Sequence, residues 1–305
     1  MAHTFNLIDY AGWKNCILMS NGVFEAVITT EVGPRIIRYA EVGGDNVLYL
    51  DEFTAGQTEA PVWRAYGGRR FDYHLNGELV LTAENAPTDY EIGEDRVTFR
   101  LPIDEQRGIS KEIIIRMCRR GGLEIKEILI NHGSESVKIS AVAATRLKPG
   151  GVCVTPWAKG NKIKSLFEGE MLDTRRYKEG KEILFVQQDE VSRDNFAFGL
   201  LPAEQWCAYF NHGNMFIITC PVIEGDLEYV DNVNVVVRGL REKFEIETRS
   251  PIYTLVPGDK ITHTEVFNIF TRNYIPKSEE DVKAALKDNK YYYEFIRKPV
   301  CGLDY

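Results

Sequence analysis

The sequence has few of the features that mark membrane, secreted or nucleic-acid-binding proteins. No apolar run approaches the roughly 20 residues needed to cross a bilayer. Residues 1–6 lack the charged start, apolar stretch and cleavage site of a secretory signal. The net charge is −8, and Lys and Arg never occur more than two in a row. We therefore expect neither nucleic acid nor a membrane as a partner.

Cysteine and histidine are also sparse. The six cysteines stand apart at positions 16, 118, 153, 207, 220 and 301, and none forms a Cys-x-x-Cys pair. Because a chain of 305 residues does not need disulfides to fold, we expect buried, reduced thiols in a cytoplasmic protein. The five histidines show no metal-ligand spacing. Neither a metal nor another cofactor is predicted.

The common catalytic signatures are missing as well. The sequence contains no phosphate-binding Gly-x-x-x-x-Gly-Lys-Ser/Thr, no dinucleotide glycine fingerprint, no His-Glu-x-x-His and no Gly-x-Ser-x-Gly. These absences exclude most cofactor chemistry. They leave the chemistry of carboxylates, histidine and arginine.

Short strands, in contrast, are abundant. Residues 17–20 and 23–28 flank Asn21-Gly22, a dipeptide typical of a type I′ hairpin turn, and a second Asn-Gly stands at 76–77. No helix of ordinary length is predicted before residue 277. One helix is predicted after Ser278, a suitable N-cap. The pattern predicts an all-β sandwich or barrel.

No Pro/Gly/Ser-rich linker and no repeat of fixed period divides the chain. We therefore expect one domain over residues 1–305, with residues 277–305 as a C-terminal helix and an aromatic tail. The tail carries Tyr291-Tyr292-Tyr293 and Phe295. Exposed, it would form a large apolar patch, so we expect it to pack on the sandwich or against a partner subunit.

Residues 244–249 form a predicted strand with two different faces. Phe244, Ile246 and Thr248 lie on one face, and Glu245, Glu247 and Arg249 lie on the other. Two carboxylates on one face, two residues apart, indicate either a solvated surface or the floor of a site. The alternation itself leaves both interpretations open.

A second polar face is predicted near residue 70. In an extended strand Arg70, Asp72 and His74 point the same way, with Arg69 before them. Arginine forks, an imidazole and aromatic rings suit a polyhydroxylated ligand, because hydroxyls need donors and acceptors in fixed directions. A solvated face with an ordinary Arg–Asp pair is the alternative. Other side chains that are close in sequence are Trp63, Tyr66, Glu84, Asn85 and Tyr90.

Two further clusters have equally simple structural explanations. Trp157 follows Pro156 and the pair Gly150-Gly151, which suits either a cleft wall or a turn before a buried tryptophan. Asp231-Asn232 could orient a ligand, but this dipeptide is also common at turns.

Several segments, in their order and spacing, resemble the galactose mutarotase (aldose 1-epimerase) superfamily, nearest its branch called domain of unknown function 4380. The resemblance covers most of residues 17–270. The segments are Gly33-Pro34-Arg35-Ile36, Asn46-Val47-Leu48-Tyr49, Leu147-Lys148-Pro149-Gly150-Gly151, Tyr229-Val230-Asp231-Asn232, residues 244–251, residues 255–260 and His263-Thr264-Glu265.

The resemblance implies a large antiparallel β-supersandwich with a sugar site on its concave face. Glu247-Thr248-Arg249 matches the family segment that holds the general base, with Arg in place of Gln, so Glu247 is the candidate base. The arginine-bearing segment of the family is similar to residues 68–71. The family acid, a histidine, is not matched, because the corresponding region reads Ala143-Ala144-Thr145-Arg146-Leu147. His74 is the candidate replacement acid.

Two functions follow from these patterns. One is a carbohydrate-binding protein that acts as an aldose 1-epimerase, with Glu247 and His74 in catalysis. The other is a non-catalytic protein that binds a sugar or a sugar phosphate on the same scaffold. Glu247 favours the first and the missing family histidine favours the second. The predicted substrate-binding residues are Arg69, Arg70, Glu84, Trp157, Asp231 and Glu245.

Overall fold

The computed structural model describes residues 3–58, 62–118, 122–166, 172–188, 195–223 and 225–287. Strands dominate these residues. The first eleven are β1 (Thr4–Tyr10), β2 (Trp13–Ser20), β3 (Phe24–Ile28), β4 (Ile36–Glu41), β5 (Arg69–Leu75), β6 (Glu78–Val80), β7 (Asp89–Ile92), β8 (Arg96–Arg100), β9 (Ile109–Met117), β10 (Leu123–Asn131) and β11 (Val137–Leu147). The others are β12 (Val152–Pro156), β13 (Lys164–Ser165), β14 (Tyr177–Glu179), β15 (Ile183–Gln187), β16 (Phe196–Leu200), β17 (Trp206–Asn211), β18 (Asn214–Thr219), β19 (Val235–Leu240), β20 (Lys243–Arg249), β21 (Tyr253–Leu255) and β22 (Lys260–Thr271).

The strands build two antiparallel sheets. The twelve-stranded sheet has the order β1-β2-β3-β4-β5-β11-β20-β19-β16-β13, with β6 beside β5 and β21 beside β11. The ten-stranded sheet has the order β14-β15-β12-β17-β18-β22-β10-β9-β8-β7. The predicted all-β fold is therefore confirmed.

The main hydrophobic core lies between the two sheets. It contains Ile246 of the twelve-stranded sheet and Phe267 of the ten-stranded sheet. Two contacts show how closely the sheets approach: the Tyr39 hydroxyl donates to the carbonyl of Phe267 at 3.1 Å, and the rings of Tyr209 and Phe244 stack 4.6 Å apart. Since side chains alternate along a strand, every second residue of β20 faces away from this core.

The two Asn-Gly dipeptides form different turns. The β2–β3 hairpin is present, but the type I′ prediction is wrong, because only Gly22 has a positive φ there. The side chain of Asn21 instead accepts hydrogen bonds from the amides of Val23 and Phe24 at 2.9 and 2.8 Å. At the β5–β6 turn both Asn76 and Gly77 have positive φ angles, of 52° and 90°, as a type I′ turn requires.

The predicted C-terminal helix is confirmed as α1 (Glu279–Lys287). Ser278 caps it: its hydroxyl accepts from the amide of Asp281 at 3.2 Å, and the Asp281 carboxylate accepts from the amide of Ser278 at 3.0 Å. Val282 and Leu286 pack against the ten-stranded sheet. The aromatic tail predicted beyond the helix lies outside the described residues. In the part of the chain that the structure describes, no helix is long and apolar enough to cross a membrane.

Four of the six cysteines match the expectation of buried, reduced thiols. Cys16, Cys153, Cys207 and Cys220 are free and buried. The expectation is wrong for Cys118, which is disulfide-bonded. Disulfides are rare in cytosolic proteins, so Cys118 does not support the predicted cytoplasmic location.

Candidate functional site

The central strands of the twelve-stranded sheet bring the two predicted polar faces together. Ala144 of β11 lies between Arg70 of β5 and Glu247 of β20. One row further along, Asp72 and Arg249 likewise flank β11. Directly opposed residues of an antiparallel pair project on the same side of the sheet. These side chains therefore share the side that faces away from the core. We call this surface the polar face; its charged and imidazole side chains include Arg70, Asp72, His74, Arg146, Arg238, Lys243, Glu245, Glu247 and Arg249.

Glu247 is held between two guanidinium groups. Arg238 Nη1 donates to its Oε2 at 2.6 Å, and Arg249 Nε donates to its Oε1 at 2.7 Å. Burial acts to raise the pKa of Glu247, but the two arginines outweigh it and the pKa is lowered. The carboxylate is therefore ionised at neutral pH. It is well fixed as a hydrogen-bond acceptor and weak as a proton acceptor.

Glu245 and Trp63 continue this network of arginines. Arg238 Nη1 also donates to Glu245 at 2.9 Å, and Arg146 Nε lies 3.0 Å from the other Glu245 oxygen. The guanidinium carbons of Arg70 and Arg146 lie 5.0 and 5.8 Å from the centre of a Trp63 ring. The indole therefore packs against both arginines and contributes an aromatic surface to the polar face.

Arg70 pairs with Asp72 through its Nη2. Burial raises the pKa of Asp72, although the charge of Arg70 acts to lower it. Three neighbouring donors are left over: Nε and Nη1 of Arg70 and Nε1 of Trp63 are buried and lack a hydrogen-bond partner within the described chain. Buried donors are normally satisfied, so these three are available to oxygen atoms of a ligand.

His74 lies on the polar face but apart from Glu247. Burial, with help from the positive charge of Arg249, lowers the pKa of His74 to about 4, so the ring is neutral at pH 7. It lines a cavity of about 170 Å³, and its Nδ1 is buried with no partner among the residues described. His74 pairs with Ser140 whereas Glu247 pairs with Ala144, a separation of four residues along β11, or roughly 13 Å.

Asp231 lies at the rim of the polar face, in a short turn over Val230–Asn232. Its carboxylate accepts from Lys164 Nζ at 3.0 Å and lies 3.6 Å from Arg249 Nη1. The hydrogen bond from Lys164 lowers the pKa of Asp231. About half of the Asp231 side chain is exposed, so this carboxylate is accessible to a ligand.

Arg69 is not on the polar face. As the strand neighbour of Arg70 it projects to the opposite side, into the core, where Nε donates to Glu265 at 2.7 Å and Nη1 donates to Glu127. Both glutamates belong to the ten-stranded sheet. Arg69 links the two sheets through these glutamates, so it does not belong with the predicted substrate-binding residues on the polar face.

Glu84 and Trp157 also lie elsewhere. The Glu84 carboxylate is buried between Arg35 Nη1 at 2.8 Å and Lys111 Nζ at 2.5 Å. Burial opposes ionisation, but the neighbouring cations lower the pKa of Glu84 to about 2. Trp157 packs into the main core with 8% of its surface exposed. Both residues are therefore explained by folding contacts.

The charged residues of the polar face that are absent from the predicted site set include Asp72, Arg146, Arg238 and Arg249. Strand alternation places Asp72 and Arg249 on polar faces, but it singles out neither Arg146 nor Arg238. Arg238 follows the apolar run Val235–Val237, and Arg146 is the penultimate residue of the largely apolar strand β11. Burying a charge in an apolar strand costs free energy unless the charge is paired. An arginine within such a strand therefore predicts a carboxylate partner, and this was the available sequence signal. Glu245, the partner of both arginines, could be identified only from the strand order.

One group of core residues has ligand atoms suited to a metal ion. The ligand atoms of Cys220, His263 and Glu265 lie within 4.8 Å of one another. The Thr248 hydroxyl donates to Glu265 at 2.6 Å and is 2.8 Å from His263 Nε2. A shared hydroxyl therefore already connects two of the three residues, and the group is a satisfied polar network as it stands.

We expect Glu127 to make folding pH-dependent. One cation, Arg69, is shared by two buried carboxylates, and burial raises the pKa of Glu127 from 4.5 to about 8. Between these values the folded protein binds a proton that the unfolded chain lacks, so stability falls as the pH rises from 4.5 to 8. Urea unfolding should show that the free energy of unfolding of Glu127→Gln, relative to that of wild type, increases by about 1 kcal/mol or more between pH 5 and pH 8. Exposed Glu91→Gln is the control; parallel pH profiles of wild type and Glu127→Gln would contradict the assignment.

No protein-family model and no curated protein matches this sequence. Solved structures do match. A galactose mutarotase-like protein from Lactobacillus casei superimposes with a TM-score of 0.57 at 10% identity, covering 84% of this chain and 100% of that one. An aldose epimerase homologue from C. elegans gives 0.51 at 12% identity, covering 89% and 100%.

A third match is longer than this chain. A TPR-domain containing protein from Parabacteroides distasonis superimposes with a TM-score of 0.61 at 11% identity over 87% of this chain. This chain spans about half, 49%, of the length of that protein. At such identities the likeness concerns the fold. The two large antiparallel sheets and these neighbours together give the chain a galactose mutarotase-like fold.

Proposed function

We propose that this protein binds a carbohydrate on the polar face, around Glu247. The observation that carries the proposal is the fixed network in which Arg238 and Arg249 hold Glu247, beside an aromatic surface from Trp63. Carboxylates held in one orientation accept from sugar hydroxyls, and an indole covers the apolar C–H side of a sugar ring. The unpartnered N–H groups of Arg70 and Trp63 can donate hydrogen bonds to sugar oxygens.

The charge balance of the polar face favours a neutral sugar. Four arginines (70, 146, 238 and 249) face four carboxylates (Asp72, Asp231, Glu245 and Glu247). Each arginine has a carboxylate within 4 Å, so no guanidinium is left without a counter-ion to hold a phosphate. A sugar phosphate is therefore the weaker alternative. It would rely on two lysines. Lys164 already bonds to Asp231 at 3.0 Å, and burial, with help from the charge of Arg146, lowers the pKa of Lys243.

Aldose 1-epimerase activity is the second candidate, because Glu247 lies where the resemblance sets the general base. Anomerisation needs a base for the anomeric hydroxyl and an acid for the ring oxygen, at the same time and on one sugar. The lowered pKa of Glu247 weakens it as the base. His74 is neutral, and its position is four residues from that of Glu247 along β11, so the two are not adjacent partners. We therefore favour carbohydrate binding over epimerase catalysis as the proposed function.

Binding is tested by calorimetry with free aldoses and, separately, with hexose 6-phosphates. We expect a neutral aldose to bind, and Arg238→Met to weaken it about 10- to 100-fold, because Glu245 and Glu247 lose the guanidinium that orients them. Losing such a charge-assisted hydrogen bond typically costs about 1.5–3 kcal/mol. Arg100→Met, which removes an exposed arginine paired with Glu91, is the matched control and should bind as wild type does. Unchanged binding by Arg238→Met would place the sugar elsewhere.

Catalysis has its own test. An NMR time course follows freshly dissolved α-glucose and α-galactose with wild type, with Glu247→Gln and without protein. Acceleration by wild type that Glu247→Gln abolishes would establish the epimerase. Equal background rates in all three, together with measured binding, would establish a binding protein.

Three further assignments stay predictions. They are membership of the branch called domain of unknown function 4380, a cytoplasmic location and a single domain over residues 1–305. The structural neighbours support the galactose mutarotase-like fold, but they do not distinguish that branch from other proteins with the fold.

A further inference from the structure

A separate cavity of about 300 Å³ opens beside β5, lined by core-facing side chains of β5 and β9 and by the segments 84–88 and 101–104. Its β5 residue, Tyr73, projects to the side opposite Asp72 and His74, so the cavity is distinct from the polar face. We propose that this cavity binds a small neutral molecule with a hydrocarbon body and one oxygen atom that accepts a hydrogen bond. The proposal does not depend on carbohydrate binding.

The walls of the cavity are largely apolar. Leu101, Pro102 and Ile103 form one side, and Ala86 and Pro87 belong to another. Ile103 is 40% exposed, so the cavity has an accessible edge. A volume of this size with mostly apolar walls suits a small organic molecule, whose hydrocarbon part would be removed from water on binding.

The charged residues at the cavity are already paired. Lys111 Nζ donates to Glu84 at 2.5 Å, to the Thr82 hydroxyl at 2.8 Å and to the carbonyl of Phe71 at 2.8 Å, which uses all three of its hydrogens. Glu84 is also bound to Arg35. A charged ligand would find no free counter-ion here and would lose its hydration, so the cavity selects a neutral one.

Tyr73 supplies a side-chain hydrogen-bond donor to the wall of the cavity. Its hydroxyl is buried and has no partner anywhere in the described ranges. Burial also raises the pKa of Tyr73, so the hydroxyl keeps its proton. Buried hydroxyls are normally bonded, and a ligand oxygen would satisfy this one.

The loop that forms one wall is held rigidly in a rare backbone conformation. Glu84 has a φ of +43°, in the left-handed region that side chains other than glycine seldom adopt. Its carbonyl accepts from the amide of Gly33 at 2.9 Å, and the Thr88 hydroxyl donates to the carbonyl of Gly33 at 2.8 Å. Such conformations persist only where surrounding contacts impose them, and they concentrate at binding sites.

Two probes that differ by one hydroxyl, p-cresol and toluene, test the proposal by calorimetry on the full chain. We expect p-cresol to bind about tenfold more tightly than toluene, the usual effect of one hydrogen bond in an apolar site. Tyr73→Phe removes only the donor. It should abolish the preference for p-cresol while leaving toluene binding unchanged.

A second variant tests the location. Ile103→Trp should fill the accessible edge and weaken both probes at least tenfold, while Leu79→Trp, at another exposed apolar side chain, should not. Thermal unfolding shows that each variant is folded. The proposal is overturned if wild type binds neither probe at millimolar concentration, if the preference for p-cresol survives Tyr73→Phe, or if Ile103→Trp binds both probes as wild type does.

Discussion

Replacing Gly68 by alanine is expected to lower the free energy of unfolding by about 3 kcal/mol or more. A Cβ atom there would lie 2.2 Å from the carbonyl oxygen of Ile36 and 3.1 Å from the Cα of Ile37, both backbone atoms. Gly68 also has a φ of +61°, which costs an alanine about 1 kcal/mol before any clash. Its amide donates to the carbonyl of Tyr49 at 2.6 Å and its carbonyl accepts from the amide of Arg146 at 3.0 Å, so the backbone cannot move aside.

Gly77→Ala is the matched control for this change. Gly77 has a φ of +90°, but among the described residues no atom lies within 4 Å of its virtual Cβ. We therefore expect it to lose only about 1 kcal/mol. Equal losses in urea unfolding would show that the close approach to Ile36 is not rigid. Because Gly68 lies two residues before Arg70, its loss should also weaken the proposed carbohydrate binding.

The faces of the central strands could be predicted from the sequence. Alternation along a strand is a local property, so Arg70 with Asp72, and Glu245 with Glu247, follow from spacing. The same rule places Arg69 opposite Arg70. Predicting both arginines for one sugar site, as the resemblance suggested, therefore conflicted with the spacing, and the structure follows the spacing.

The partners across the fold could not be predicted. Arg69 meets Glu265 at a separation of 196 residues, and the pairing depends on two sheets lying face to face. Arg238 reaches Glu247 because β19 and β20 are neighbours in a particular register, which spacing within either strand does not reveal. The paired charges of the polar face, on which the proposed preference for a neutral ligand depends, follow only from the strand order and register.

Glu84 shows a different limit. Its proximity to Arg70 in sequence suggested a common site, but a left-handed backbone at Glu84 turns the carboxylate to Arg35 and Lys111. Non-glycine residues in that conformation carry no reliable sequence signal. The cavity beside Tyr73 depends on the same loop.

Arg69→Met is expected to cost about 3–5 kcal/mol of folding free energy, the typical effect of removing one partner from a buried ion pair. Glu127 and Glu265 have completely buried side chains and would be left together with no cation between them. Without Arg69 a buried carboxylate can lose its uncompensated charge only by binding a proton, which becomes harder as the pH rises. The loss should therefore be smallest near pH 4–5 and should grow towards pH 8, as urea unfolding at several pH values would show.

The pH dependence separates lost charge from lost packing. Met fills a similar volume, so a packing defect alone would give the same loss at every pH and would contradict the electrostatic account. Adding Glu127→Gln and Glu265→Gln to Arg69→Met should recover part of the stability at pH 8, because a neutral triad leaves no uncompensated buried charge. Recovery should be slight at pH 4–5, where protons already neutralise the glutamates. Such recovery would show that Arg69 stabilises the fold mainly by neutralising the buried glutamates, and not by its packing contacts.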